Sequence, residues 1–164
     1  MTRYSFSFSL AFAIGIFFAN TSFAQLQTFQ FEQLDSLNTV KKKTVVVFIH
    51  TDWCRYCHQM KNTTFKNDRV IELLNDHFYF IELDAESTQD INYHGHTFKY
   101  RPTGGNTGVH ELAEQLGTID GKLNYPSISI LNEKNKIVFQ YGGLMKTNEL
   151  LTVLKELLKQ QKNP

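Results

Sequence analysis

The chain has 164 residues, with 17 Lys and Arg against 16 Asp and Glu, a formal net charge of +1, and two cysteines. So even a balance excludes the basic footprint of a nucleic-acid binder or of a protein held on an anionic membrane surface. Two cysteines three positions apart are also too few and too close for a small scaffold stapled by disulfides.

The first stretch reads as a targeting segment. Arg3 is its only charge, and the run from Phe6 to Ala19 passes through Leu10, Phe12, Ile14, Ile16, Phe17 and Phe18. Ser22-Phe23-Ala24 then places small residues at −3 and −1 of a cut before Gln25, which makes residues 1–24 a predicted secretory signal peptide. The alternative is a membrane anchor, but the run is shorter than the roughly 18–20 apolar residues of a bilayer span. No Cys lies near the cut, which argues against a lipoprotein. Residues 25–164 are expected to form one domain with a real core, periplasmic or secreted. In such a protein a close Cys pair points to reactive chemistry rather than to scaffold.

Phe31, Leu34, Leu37 and Val40 recur near helical spacing, so about 30–41 is predicted to be an amphipathic helix, with Lys41-Lys42-Lys43 at its solvated end. Thr44-Val45-Val46-Val47-Phe48-Ile49 is the continuous apolar, β-branched run of a strand buried on both faces. From Cys54 to Asn75 the chain reads as helical, broken near Thr63-Thr64, with Asn67-Asp68 capping the second piece. A strand is expected over 78–83. Residues 86–108 are polar, aromatic and Gly-rich, and a short helix should follow with Val109, Leu112, Ala113 and Leu116 on one face. Tyr125-Pro126 opens a strand over 127–131, Asn132 to Asn135 forms a hairpin turn, and 136–141 is the partner strand. Gly142-Gly143 ends it, and a last helix carries Leu150, Leu151, Leu154 and Leu158. This order implies an α/β fold, a mixed sheet with helices on both faces.

Cys54-Arg55-Tyr56-Cys57 sits between the buried strand and a helix. The first Cys therefore falls at a helix N-terminus, where unpaired N–H groups and the helix dipole stabilise a thiolate. Arg55 adds a positive charge and Asp52 opposes it. The two-residue spacer lets Cys57 reach Cys54, which assigns Cys54 as nucleophile and Cys57 as the resolving thiol. With His58 the same string is also the haem-attachment pattern Cys-x-x-Cys-His. A preceding buried strand fits a redox dithiol better than a small helical cytochrome, and a structural disulfide is the remaining reading. His94, His96, His110 and Glu111 have no spacing that selects a metal, and such His residues are usually surface hydrogen-bonding groups, so no metal is expected. His50 reads as a packed residue that could also tune the thiol. Tyr93, Phe98 and Tyr100 are expected to pin the 86–121 stretch to the domain rather than to meet a partner.

Trp53-Cys54-Arg55-Tyr56-Cys57 followed far downstream by Tyr125-Pro126 resembles the thioredoxin superfamily. The resemblance covers about residues 28–85 and 122–160, with Gly142-Gly143-Leu144 in the place of the family's glycine turn. It implies a thioredoxin-like fold, a cis-Pro126 facing the sulfurs, and substrate contacts from Trp53, Tyr125 and Pro126. Thr63 to Ile71, leading to Leu83-Asp84-Ala85-Glu86, is similar to a branch of exported proteins that includes the soluble C-terminal domain of DsbD. That likeness implies a reductase of disulfides in exported proteins or small molecules, supplied with electrons by a membrane thiol transporter. It needs no bound cofactor beyond the Cys54–Cys57 disulfide, and the protein is expected to be a monomer. Two features depart from the family. Phe48 stands where an acid is usual on the strand, with Glu82 as a substitute, and residues 86–121 are an insertion before the cis-Pro strand, longer than ordinary connections. The alternatives are a binding or carrier protein that uses this insertion, or a disulfide oxidase or isomerase.

Overall fold

The computed structural model describes residues 25–105 and 107–162. The expected signal peptide lies outside the described residues. After an extended arm and one 3-10 turn, Phe31–Gln33, come α1 (Leu34–Val40), β1 (Thr44–His50) and α2 (Arg55–Asn62). A second 3-10 turn, Thr64–Lys66, breaks the helical stretch before α3 (Asp68–His77) and β2 (Phe78–Asp84). Asn67 caps α3 through its side chain, which accepts from the Val70 N–H at 3.4 Å.

The long segment after β2 is folded rather than looped. It holds two antiparallel hairpins, β3 (Ile91–Tyr93) with β4 (His96–Phe98) and β5 (Tyr100–Gly104) with β6 (Thr107–His110). Then come α4 (Glu111–Gly117) and a small hairpin of β7 (Thr118–Ile119) with β8 (Lys122–Leu123). The chain closes with β9 (Ser127–Leu131), β10 (Ile137–Gly142) and α5 (Thr147–Lys162).

The central sheet has the order β10-β9-β1-β2, with β1 parallel to β2 and antiparallel to β9. All seven residues of β1 are buried, as expected of a central strand covered on both faces. Strand alternation sends its side chains into two separate cores. Val46 and Phe48 join Phe78, Phe80, Ile128 and Ile130 under α2, α3 and α5. Val45, Val47 and Ile49 join Tyr79, Ile81 and Leu83 under α1 and α4. Each large apolar side chain so buried stabilises the fold by about 1.5–3 kcal/mol relative to exposure.

Four expectations are corrected here. Val40 is 88% exposed, because α1 turns it away from the face that buries Leu34. The 86–108 stretch forms hairpins, since Gly95 (φ 74°) and Gly105 (φ 50°) sit at positive-φ turn positions between short paired strands. Val109 packs from β6 rather than from α4, whose buried face is Leu112, Ala113 and Leu116. His110 is fully buried, unlike the exposed His94 and His96. Its Nδ1 accepts from the Leu112 N–H at 3.3 Å and caps α4, while Nε2 lies 3.1 Å from the Gln89 carbonyl.

Two of the three aromatic residues of the insert, Tyr93 and Phe98, pin it to the domain, while the contact of Tyr100 stays within the insert. Tyr93 is buried edge-on against Phe31, with centroids 5.0 Å apart, and its hydroxyl donates to Asn135 Oδ1 at 2.9 Å. Phe98 packs on the same core, and Tyr100 lies across Gly108 in the β5–β6 hairpin.

Candidate functional site

β1 ends at His50, and a tight turn follows in which the Cys54 N–H donates to the Thr51 carbonyl at 3.3 Å. This turn delivers Cys54 to the N-cap of α2, in extended backbone conformation. Its sulfur accepts from the Cys57 N–H at 3.1 Å, so one of the orphan donors of the helix end points at Cys54 Sγ. Cys54 and Cys57 form a disulfide with Cα atoms 5.2 Å apart. Both are buried, Cys54 to 4% exposure and Cys57 to 1%, and Cys57 is embedded with Met60 and Phe65 in the core below.

The distant elements arrive through the sheet. β9 pairs with β1 in the register Ile49↔Ser127, which sets Tyr125 and Pro126 just beyond the end of β1. The Tyr125–Pro126 bond is cis, and the Pro126 carbonyl accepts from the Gly143 N–H at 2.7 Å. Tyr125 meets Trp53 edge-on with centroids 5.9 Å apart. Trp53 and Tyr56 stand out of the surface, 67% and 57% exposed, beside a buried disulfide. The Trp53 indole N–H donates to Glu86 Oε1 at 3.0 Å, which ties the start of the insert to the site. Burial, then the charges of Glu86, Asp84 and Glu114, push the Tyr125 phenol up to about 12, so it stays protonated and can donate a hydrogen bond.

Of the residues singled out from sequence, Cys54, Cys57, Trp53, Tyr125 and Pro126 converge in this way. Arg55 and Asp52 are exposed at the entrance to α2, and the Asp52 carbonyl lies 2.6 Å from His58 Nε2. Glu82 lies to one side: it pairs with Lys61 at 2.8 Å and stands 3.9 Å from His50 Nε2. Lys61 was not legible as a partner in the sequence, although its i+4 spacing from Cys57 puts it on the same helix face. Glu86 was also missed, because only folding brings it to the Trp53 indole. Among the described residues no group of three or more His, Cys, Asp or Glu is placed to hold a metal ion. With both Cys joined to each other and the His58 ring held at the Asp52 carbonyl, the Cys-x-x-Cys-His string is engaged within the protein in this structure.

Fold and site together define a thioredoxin-fold protein with a Cys-x-x-Cys disulfide at a helix N-terminus. Residues 31–158 match the thioredoxin-like domain family, and the chain belongs to that family. Among curated proteins it is similar to spermatogenesis-associated protein 20 of Rattus norvegicus and of Mus musculus, 27% identical over 60 residues in each case. The match takes in 35% of this chain and spans 8% of the length of those relatives. Among solved structures it resembles a DsbH oxidoreductase, with a TM-score of 0.57, 16% identity and coverage of 83% of this chain and 86% of that one. A thioredoxin from Thermus thermophilus gives 0.58 at 19% identity over 82% and 88% of the two chains. A disulphide isomerase from Xylella fastidiosa Temecula1 gives 0.51 at 15% identity over 77% and 87%. At these identities the likenesses establish the fold.

Proposed function

We propose that this protein is a thiol–disulfide oxidoreductase that reduces disulfides of exported proteins through its Cys54–Cys57 pair. The observation that carries the reading is the Cys57 N–H aimed at Cys54 Sγ from the first turn of α2. In the reduced protein a donor so placed, with the helix dipole, favours negative charge on Cys54 Sγ, which suits it to attack and to leave as a thiolate. In the reaction the Cys54 thiolate attacks a substrate disulfide, one substrate sulfur leaves, and a mixed disulfide forms. Cys57, one helical turn inside, then attacks Cys54 and releases the second substrate sulfur. Trp53, Tyr125 and Pro126 form the surface that receives the substrate chain, and the exposed rings of Trp53 and Tyr56 offer apolar contact beside it.

Export is supported by the apolar run and small-residue cut of residues 1–24 and by a close Cys pair in an otherwise cysteine-free chain. Electrons are supplied by a membrane thiol transporter, as the likeness to the DsbD domain implies. The test is reduction of insulin with dithiothreitol as donor. Wild-type protein should accelerate it, Cys54→Ser should abolish the acceleration, and an active Cys54→Ser protein would defeat the proposal. Measurement of the Cys54–Cys57 reduction potential then separates a reductase from an oxidase or isomerase.

A further inference from the structure

A main-chain segment that leaves a sheet and stays buried must find partners for its N–H and C=O groups outside the ladder. The link between β10 and α5 is such a segment. Gly143, Leu144 and Met145 follow the last pair of the β9–β10 ladder, Gly142 with Ser127, and Met145 is buried. Helix α2 and the 3-10 turn behind it supply what the sheet does not. The Met145 N–H donates to the thioether Sδ of Met60 at 3.5 Å, and the Met145 carbonyl accepts from Thr64 Oγ1 at 2.9 Å. Met60 and Thr64 are themselves buried, so solvent water competes for neither bond. A thioether is a weak acceptor, which makes the Thr64 hydroxyl the stronger of the two ties.

These ties connect the two halves of the site. Met60 follows Cys57 by three residues in α2, on the same helix face and in the same core layer. At the other end of the link, the Gly143 N–H donates to the Pro126 carbonyl at 2.7 Å. Gly143 has φ 126°, in the region that favours glycine, and Leu144 packs on the core that holds Cys57. The register of β9 with both neighbours ends at Ser127, one residue short of Pro126. Beyond that pair the contacts run from the helix that carries Cys57, through Met60 and Thr64 to Met145, and through Gly143 to Pro126.

We propose that Met60 and Thr64 are positioning residues for a polypeptide substrate: by fixing Met145, and through Gly143 the Pro126 carbonyl, they hold the strand end that receives the substrate chain in place beside Cys54. This rests on the reading of Cys54 and Cys57 as an exchanging pair and of Trp53, Tyr125 and Pro126 as the substrate surface. Met60 Sδ and Thr64 Oγ1 are engaged by Met145, so the exchange chemistry does not pass through them. Their contribution is preorganisation. A chain that docks on a strand end already fixed loses less to ordering than one that must fix it on arrival. A small disulfide that meets only the sulfur has no use for this clamp.

The test follows single-turnover oxidation of the reduced full chain by insulin and by 5,5′-dithiobis(2-nitrobenzoate), a small disulfide. Met60→Leu removes the sulfur acceptor and Thr64→Val the hydroxyl donor, each with little change of shape. Each should raise the insulin concentration for half-saturation by about two- to tenfold, the scale of one hydrogen bond, and leave the limiting rate within about twofold. The rate with the small disulfide should stay within about twofold of wild type, which also reports that the variant is folded with Cys54 in place. Thr64→Ser keeps the hydroxyl and should restore the insulin value. Amide exchange at Gly143 should quicken in Met60→Leu and Thr64→Val, as its bond to Pro126 loosens. Wild-type half-saturation in both variants would overturn the proposal. So would equal losses on the two substrates, or a Thr64→Ser protein no better than Thr64→Val. If neither substrate oxidises the wild-type chain, the exchange reading itself fails, whatever the clamp does.

Discussion

Trp53, beside Cys54, and Tyr125, beside Pro126, come from distant parts of the chain and meet edge-on at 5.9 Å over the N-terminus of α2. The contact joins the turn that carries Cys54 to the cis-proline strand. Glu86 extends it to the start of the insert through the indole N–H. The Trp53 ring is 67% exposed, so its removal costs little core. We expect Trp53→Ala to change stability by no more than about 1 kcal/mol. Turnover of a polypeptide disulfide should fall several-fold, while a small aromatic disulfide should be reduced nearly as before. Urea denaturation and paired turnover assays check this, and equal losses on both substrates would refute the role given to Trp53.

Phe48 is fully buried in the core that holds Cys57, between the ring of Phe65 at 4.8 Å and that of His50. An acid placed there would be a charge in an apolar layer, and the nearby Lys61 ammonium, 6.0 Å from the centre of the Phe48 ring, is already paired with Glu82. Phe48→Asp is expected to destabilise by at least about 3 kcal/mol at neutral pH, and Phe48→Leu by less than about 2 kcal/mol. Guanidinium denaturation midpoints with unchanged slopes decide the matter.

His110 holds the insert by three hydrogen bonds. Its N–H donates to the Ala85 carbonyl at 2.7 Å, its Nδ1 caps α4, and its Nε2 meets the Gln89 carbonyl. His110→Ala keeps the first and loses the others, leaving a buried cavity and an unpaired Leu112 N–H. The expected cost is about 1–3 kcal/mol. Amide exchange should rise in α4 and in the 86–90 turn well before it rises in β1.

Gly108 tests the β5–β6 hairpin separately. A Cβ there would lie 2.6 Å from the Arg101 carbonyl and inside the Tyr100 ring. Gly108→Ala must therefore displace backbone across the pair, at a cost of about 1–3 kcal/mol. The effect should stay within the hairpin and leave the reduction of a small disulfide unchanged.

The pH dependence of stability has two limbs with worked signs. Tyr93 and Tyr125 are each pushed up to about 12, chiefly by burial, from an ordinary value of 10.0. Their stabilising contribution is complete below pH 10 and is lost between pH 10 and 12, where the unfolded chain ionises first. Tyr93→Phe should flatten that loss. The pKa of His50 is lowered from 6.5, so the unfolded state binds its proton first and stability declines as pH falls below about 6.5. His50→Phe should weaken that acid limb. Thermal midpoints from pH 5 to 12 measure both.

Much of the fold was legible from local pattern. The apolar run 44–49 became the central strand, Asn67 capped α3 as its position suggested, and the 132–135 turn closed β9 onto β10. The insert was the weak point. Its strands are only two to five residues long, and residues such as Tyr93 and His110 are buried by contact with the Phe31–Gln33 turn and with the 85–90 turn, not by any period of their own. The same holds for Val40, whose helical spacing fitted a buried face that α1 does not present to the core.

From the sequence alone, the family, the Cys54–Cys57 pair and the strand that delivers it could be read, because short-range patterning sets local conformation and two cysteines three apart can close on each other. The Trp53–Glu86 and Trp53–Tyr125 contacts, and the meeting of Lys61 with Glu82 and His50, depend on the register of β1 against β2 and β9. Register is a long-range property, set by which faces of the strands are buried together, and no single stretch of sequence contains it.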